Sequence, residues 1–176
     1  MRLSQSLAAI FLCAAALTLP PAVSAANARP TQKPRAKAQT PAPHTEITKE
    51  KIEAIVSVME QGVKKKEVAA IAPYLAPDLR WRFRSGDKPV GYANREQYIA
   101  NVKRGFELAL DYTYLRKSLT ISVAPDGQSA TAQLETFEMM TLEQGTFAAS
   151  SISEITFKIY KGKILVASVE GTITPV

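Results

Sequence analysis

The stretch TFKIYKGKILVASVEG, residues 156–171, alternates apolar and polar side chains on both sides of Lys161-Gly162. A period of two sends successive side chains to opposite faces, so each arm reads as a strand and the Lys-Gly pair as a tight turn. Comparable runs cover Tyr112 to Val123, Ser129 to Leu142 and Thr146 to Tyr160, and the last arm continues from Lys163 to Thr174. Asp126-Gly127 and Gly145 punctuate them. Four long strands joined by turn signals predict an antiparallel meander. A ribbon of that length with one apolar face has to be wrapped around something.

What it wraps precedes it in the chain. Thr48 is a fair N-cap, Glu50 falls in the first turn, and Ile52, Ile55, Val56, Met59 and Val63 recur at helical spacing. Gly62 lies near the expected stop, followed by Lys64-Lys65-Lys66 at the negative end of the helix. A second helix from Glu67 to about Leu75 is kept short by Pro73 and Pro77. In LRWRFR, Leu79, Trp81 and Phe83 alternate with Arg80, Arg82 and Arg84, which predicts a strand; Ser85-Gly86-Asp87 turns it back through Lys88 to Tyr92. Asn94 with Gln97 three residues on forms a capping box for a third helix, whose inner stripe is Tyr98, Ile99, Val102, Phe106 and Leu110. Helices grouped before a meander predict an α+β domain with the helices on one face of the sheet.

The ends of the chain have a different texture. The run LAAIFLCAAALTL, Leu7 to Leu19, is broken by Pro20-Pro21, and Val23-Ser24-Ala25 offers small residues for cleavage. Residues 1–25 read as a secretory signal peptide, with an uncleaved anchor as the rival. Cleavage near Ala25 predicts a secreted or periplasmic protein, and it removes Cys13, the only cysteine. Residues 26–46 form a Pro/Ala/Lys/Arg linker without apolar periodicity. From Asn27 to Glu46 four basic residues face one acidic residue, a net +3; from Ile47 onward 17 basic face 15 acidic, a net +2. The basic character thus belongs largely to the linker, where weak contact with an anionic envelope surface competes with a plain spacer role. The domain itself, 47–176, carries no nucleic-acid footprint.

The element order over 47–176 resembles the nuclear transport factor 2-like superfamily, with its SnoaL-like and ketosteroid-isomerase-like relatives. KKKEVAAIAPYLAPDLRWRF (Lys64 to Phe83) resembles that group's second helix and aromatic first strand. GYANREQYIANV (Gly91 to Val102) resembles the start of its third helix, and ITFKIYKGKILVASVEG its final hairpin. The resemblance implies a cone: three N-terminal helices packed in the concave face of a strongly curved antiparallel sheet, made of a short hairpin plus the four-strand meander. A cavity would lie at the open end. Dimerisation through the sheet is common in the group, so a homodimer is expected. Such folds host isomerases, cyclases, dehydratases, carriers and non-catalytic subunits, so fold alone constrains function weakly.

The only histidine, His44, lies in the linker. With no His or Cys in the domain, Ser-His-Asp and Cys-His catalysis and histidine-based metal sites are excluded, and no cofactor or metal motif is present. This leans against catalysis. It leaves a carboxylate or tyrosine, since an apolar cavity turns a carboxyl into a usable acid or base. Strand parity puts Gln133, Glu135, Phe137 and Met139 on one face, and Ala132, Leu134, Thr136, Glu138, Met140 and Leu142 on the other. Phe147, Ala149, Ser151, Ser153, Ile155 and Phe157 share a face; on the last strand Leu165, Ala167, Val169 and Ile173 read as core, with Val166, Ser168 and Glu170 opposite. A single bulge would invert such parities. Glu135 and Glu170, set between apolar neighbours, are the candidate carboxylates. Tyr74, Trp81, Tyr98 and Tyr112 are candidate pocket aromatics. Arg80, Arg82 and Arg84 are a candidate anion-binding comb, against the alternative that they protect an exposed strand near a sheet edge.

Three functional expectations follow. The first is a non-catalytic module that binds a small apolar ligand or a protein partner. The second is an isomerase, cyclase or hydrolase that uses a cavity carboxylate on a small hydrophobic substrate; it requires a buried acid close to a tyrosine and a pocket. The third is an envelope assembly subunit, which requires the N-terminal apolar run to remain as an anchor.

Overall fold

The computed structural model describes residues 46–176; the expected signal peptide (1–25) and almost all of the expected linker (26–46), with Cys13 and His44, lie outside the described residues. Helix α1 (Lys49–Lys64) begins where expected, with the Thr48 hydroxyl accepting from the Lys51 amide. Its buried stripe holds Ile52 and Val56 and, four residues further on, Glu60. The helix runs past Gly62 to Lys64, and Lys66 takes the left-handed turn at φ 57°. Gly62 has another role: a Cβ there would stand 3.0 Å from the Ala70 Cβ, so its bare backbone lets the next helix pack close. That helix, α2 (Val68–Ile71), tightens into a 3-10 turn over Ala72–Tyr74 at Pro73.

Strand β1 (Leu75–Ser85) and β2 (Lys88–Ala93) form the short hairpin. Asn94 then caps α3 (Arg95–Leu108) by a full capping box, in which its side chain accepts from the Gln97 amide at 2.9 Å and its amide donates to the Gln97 side chain at 3.0 Å. The meander follows as β3 (Asp111–Val123), β4 (Ser129–Leu142), β5 (Gly145–Tyr160) and β6 (Lys163–Pro175). Lys161 and Gly162 both sit at positive φ, the geometry of the tight hairpin turns that match strand twist.

The six strands form one sheet in the order β2-β1-β6-β5-β4-β3. Every pairing is antiparallel except β1 with β6, which is parallel and joins the two ends of the domain. The domain's first residues are tied in as well: the Ile47 amide donates to the Gly127 carbonyl in the β3–β4 turn, and the Ile47 side chain is buried.

The helices lie against one face of this sheet, and the main core is the layer between them, with Ile52, Ile71, Phe157 and Val166 fully enclosed. Each such side chain contributes roughly 1.5–3 kcal/mol on burial. A second cluster joins Trp81, Phe83, Ala93 and Ile173, with the Trp81 and Phe83 rings stacked at 4.6 Å. Two irregularities steer the cavity wall. In β3 an extra residue, Lys117, sits between the paired Arg116 and Ser118, so Tyr112, Tyr114 and Arg116 face inward before it, and Leu119 and Ile121 after it. In β6 an extra Ala167 separates Val166 from Ser168 opposite Phe157 and Thr156. Bulges bend and twist the strands that carry them.

Candidate functional site

Between the helices and the sheet lies a cavity of about 130 Å³. Its helical side is Val56, Met59 and Val63 from α1, with Val102 and Phe106 from α3. Trp81 and Phe83 from β1 and Val166 and Val169 from β6 extend the apolar lining. The opposite wall, on β3 to β5, is different: Tyr112, Tyr114, Thr136, Glu138, Ser151 and Ser153 all point in, and Tyr98 and Glu60 join them from the helices.

These polar groups form a chain. The Tyr112 hydroxyl donates to Glu138 Oε2 at 2.6 Å, the Thr136 hydroxyl donates weakly to Glu138 Oε1 at 3.5 Å, and Thr136 Oγ1 lies 2.8 Å from Ser151 Oγ. Burial pushes the Glu138 carboxyl above its ordinary value of 4.5; the hydrogen bonds from Tyr112 and Thr136 favour the charged form and offset this only in part. Burial pushes Tyr98 up to about 12, with the Glu138 charge adding to it. Tyr112 and Tyr114 are raised further by burial first and then by Glu138, so all three phenols hold their protons well into the alkaline range.

A second polar pair stands where α1 meets β3. Arg116 Nε lies 3.2 Å from Glu60 Oε1. The contact lacks the alignment of a hydrogen bond, and the buried Glu60 Oε1 and Arg116 Nη1 have no hydrogen-bond partner. Among the described residues no group of three or more His, Cys, Asp or Glu is placed to hold a metal ion.

Three of the four expected aromatics, Trp81, Tyr98 and Tyr112, line the cavity, whereas Tyr74 ends the 3-10 turn outside it. Glu135 and Glu170 lie elsewhere. Glu135 points to the outer face, 3.6 Å from Lys117, and Glu170 is exposed beside Arg82 and Glu154 in the neighbouring strands. The cavity carboxyls are instead Glu138 and Glu60. Both stood on apolar stripes in the sequence, Glu138 among Leu134, Met140 and Leu142, and Glu60 four residues after Val56; a charge on such a stripe was the signal. On β6 the Ala167 bulge reverses the expected parity, so Val166 rather than Leu165 faces the cavity.

Arg80, Arg82 and Arg84 are all exposed on the outer side of β1. The strand is not an edge, since β2 covers it, and the Arg82 guanidinium stacks over the Tyr92 ring at 5.7 Å to its centroid. The comb therefore lies apart from the cavity.

No family model matches the chain, and no curated protein matches it. Solved structures do. An uncharacterized protein with a cystatin-like fold from Caulobacter vibrioides superposes with a TM-score of 0.59 at 14% identity, over 71% of this chain and 88% of that one. A hexachlorocyclohexane dehydrochlorinase, LinA type 2, gives 0.58 at 12% identity over 72% and 90%. A putative dehydratase of the NTF2-like family from Streptomyces avermitilis gives 0.58 at 9% identity over 72% and 94%. At these identities the likeness is one of fold: the chain has the nuclear transport factor 2-like, cystatin-like α+β fold.

Proposed function

We propose that the cone cavity binds one small, uncharged, largely apolar molecule and holds an oxygen of that molecule against Glu138. The observation that carries this reading is the 2.6 Å contact between Tyr112 and Glu138 inside an otherwise apolar cavity. A carboxyl in such surroundings lowers stability, and groups with perturbed titration cluster at functional sites. A cavity of about 130 Å³ suits a ligand near the size of benzene, which enters an apolar cavity of about 150 Å³ in another protein. Among the described residues that line the cavity there is no Lys or Arg, and the Arg116 guanidinium beside it is paired with the Glu60 carboxylate, which disfavours an anionic ligand. Trp81, the only tryptophan, lies in the cavity wall, so its fluorescence reports occupancy. Titration with phenol should change Trp81 emission saturably, and a Glu138→Leu variant should weaken that binding about tenfold; no change at any phenol concentration would sink the reading.

A second reading makes the same carboxyl catalytic, and the raised titration of Glu138 beside a tyrosine favours it. As carboxylate, Glu138 would remove a proton from a carbon next to a carbonyl; as acid it would return one, so that proton transfer is the reaction class. A dehydrochlorinase and a putative dehydratase are among the similarly folded proteins. Deuterium uptake into cyclohexanone in D2O, followed by NMR, separates the readings: acceleration that is lost in Glu138→Gln supports catalysis, and a rate equal to buffer leaves binding alone.

We also propose that residues 1–25 are removed, that residues 26–46 act as a spacer, and that the domain works outside the cytoplasm; N-terminal sequencing of the mature protein near Ala26 tests this. The outer sheet face exposes Leu115 and Ile152, which favours a homodimer through that face. Light scattering of the wild type against Leu115→Glu measures it, and a monomer in both excludes it.

A further inference from the structure

The Glu60–Arg116 pair is built in a way that packing alone does not explain. It brings two charged side chains, Glu60 buried and Arg116 partly buried, to the boundary between α1 and the cavity wall, and an ion pair withdrawn from water is generally no more stabilising than well-packed apolar residues of similar volume. Its geometry is also incomplete. Glu60 Oε1 is a buried acceptor and Arg116 Nη1 a buried donor, and neither is satisfied within the protein. Leaving such atoms unpaired is costly, so they call for a partner. Glu60 lines the cavity; Arg116 is not itself a lining residue, but it lies inward on β3 against Glu60 and directly opposite Thr136, both of which line it. The Lys117 bulge immediately after Arg116 is where the strand changes the face it turns inward.

We propose that Glu60 and Arg116 form a second polar subsite of the cavity, which takes a planar group bearing an N–H and a C=O together, as in a carboxamide, on an otherwise apolar ligand. The amide N–H donates to Glu60 Oε1, and the amide oxygen accepts from Arg116 Nη1. An ether or a ketone satisfies only the arginine, and a carboxylate would oppose Glu60. This subsite rests on the reading that the cavity binds a small molecule, and it adds the chemical class that Glu138 and Tyr112 leave open.

The test compares benzamide with toluene, rings of similar size that differ in the amide, by titrating Trp81 fluorescence in the full-length protein. Benzamide is expected to bind at least about tenfold tighter than toluene, the factor that hydrogen bonds to charged groups supply. In the paired substitution Glu60→Leu with Arg116→Met the benzamide-to-toluene preference, read as a ratio within the same variant, should fall to about twofold or less. Equal affinities in the wild type overturn the proposal, and so does a preference that survives the paired substitution. Failure of both ligands to bind overturns the cavity reading itself, a different result from equal binding. If the paired variant does not fold, guanidinium NMR of the wild type decides: benzamide must shift the Arg116 side-chain signals and toluene must not, and unmoved signals with benzamide bound overturn the subsite.

Discussion

Tyr112 donates its hydroxyl proton to Glu138 across 2.6 Å although the two are not register partners: Tyr112 pairs with Met140, and Glu138 with Tyr114. The contact is a diagonal one between neighbouring strands, which long side chains on one face can reach. It exists because β3 keeps Tyr112 and Tyr114 inward ahead of the Lys117 bulge. The carboxyl thus bonds Tyr112 and stands opposite Tyr114 on its β3 side, and along its own strand it meets Thr136, whose hydroxyl pairs with Ser151 on β5.

Stability should depend on pH through Glu138. Its folded-state pKa lies above the ordinary 4.5, so the native state holds this proton more tightly than the unfolded chain does. The contribution is fully present below about pH 4.5 and is lost as pH rises through the folded value. Relative to Glu138→Gln, which keeps the shape without the charge, the wild type should therefore lose melting temperature as pH rises from 4.5 towards neutrality. A difference between the two melting curves that stays constant over that range contradicts the assignment.

The tyrosines make a separate alkaline prediction. Tyr98 is raised to about 12, and Tyr112 and Tyr114 are raised further, each chiefly by burial. Unfolded tyrosines ionise near 10, so the unfolded state releases protons first and native stability falls from about pH 10 upward. Absorbance at the tyrosinate band should show these three phenols ionising only as the fold is lost, in step with the far-ultraviolet circular dichroism. Their complete ionisation while the dichroism stays native would show that the cavity wall is open to solvent.

Thr136 and Ser151 form a buried hydroxyl pair at 2.8 Å. Thr136→Val keeps the shape but strands Ser151, and should cost about 1–3 kcal/mol in denaturant unfolding. Adding Ser151→Ala removes the stranded partner and should recover most of that loss. A double variant as unstable as the sum of its singles would mean that the two hydroxyls do not act as a pair.

The fold was legible because its signals are local: the Asn94 capping box, the Lys161-Gly162 turn and the period-two runs from Ser129 to Tyr160 are all present as the sequence implies. The site was less so. Strand parity gives the faces of β4 as the structure has them, yet Glu135 looks the more enclosed carboxylate in the sequence, because apolar neighbours along the chain are not the apolar neighbours in space. Residues 133 and 135 face out with Lys117, while 134, 136 and 138 face the helices. The bulges at Lys117 and Ala167 leave no mark in composition, and each reverses the face of the residues that follow. The parallel β1–β6 pairing was equally hidden, since it joins residues 88 to 91 positions apart, as in Arg80 with Ser168 and Leu75 with Val166.

Gly171 is the position in β6 where a side chain should be least tolerated. Its backbone pairs with Phe83 on one side and Ser153 on the other, and a Cβ would stand 2.6 Å from the Ile152 carbonyl oxygen and 2.7 Å from Phe83 Cε1. The carbonyl belongs to the β5 backbone and cannot swing away, and the Phe83 ring is held by its stack on Trp81. Gly171→Ala should therefore destabilise by about 1–3 kcal/mol through overpacking, and should shift Trp81 emission because the stack must move. Gly86→Ala provides the contrast. Nothing lies within 4 Å of a Cβ there, and the cost comes only from the left-handed φ of 57°, about 1 kcal/mol, with Trp81 emission unchanged. Combining Gly171→Ala with Phe83→Leu separates the two clashes. If the ring is the main obstacle, the double variant is more stable than the sum of its singles predicts; if the carbonyl is, the effects add and the β5–β6 spacing has to widen, which faster amide exchange at Ile152 and its neighbours would register.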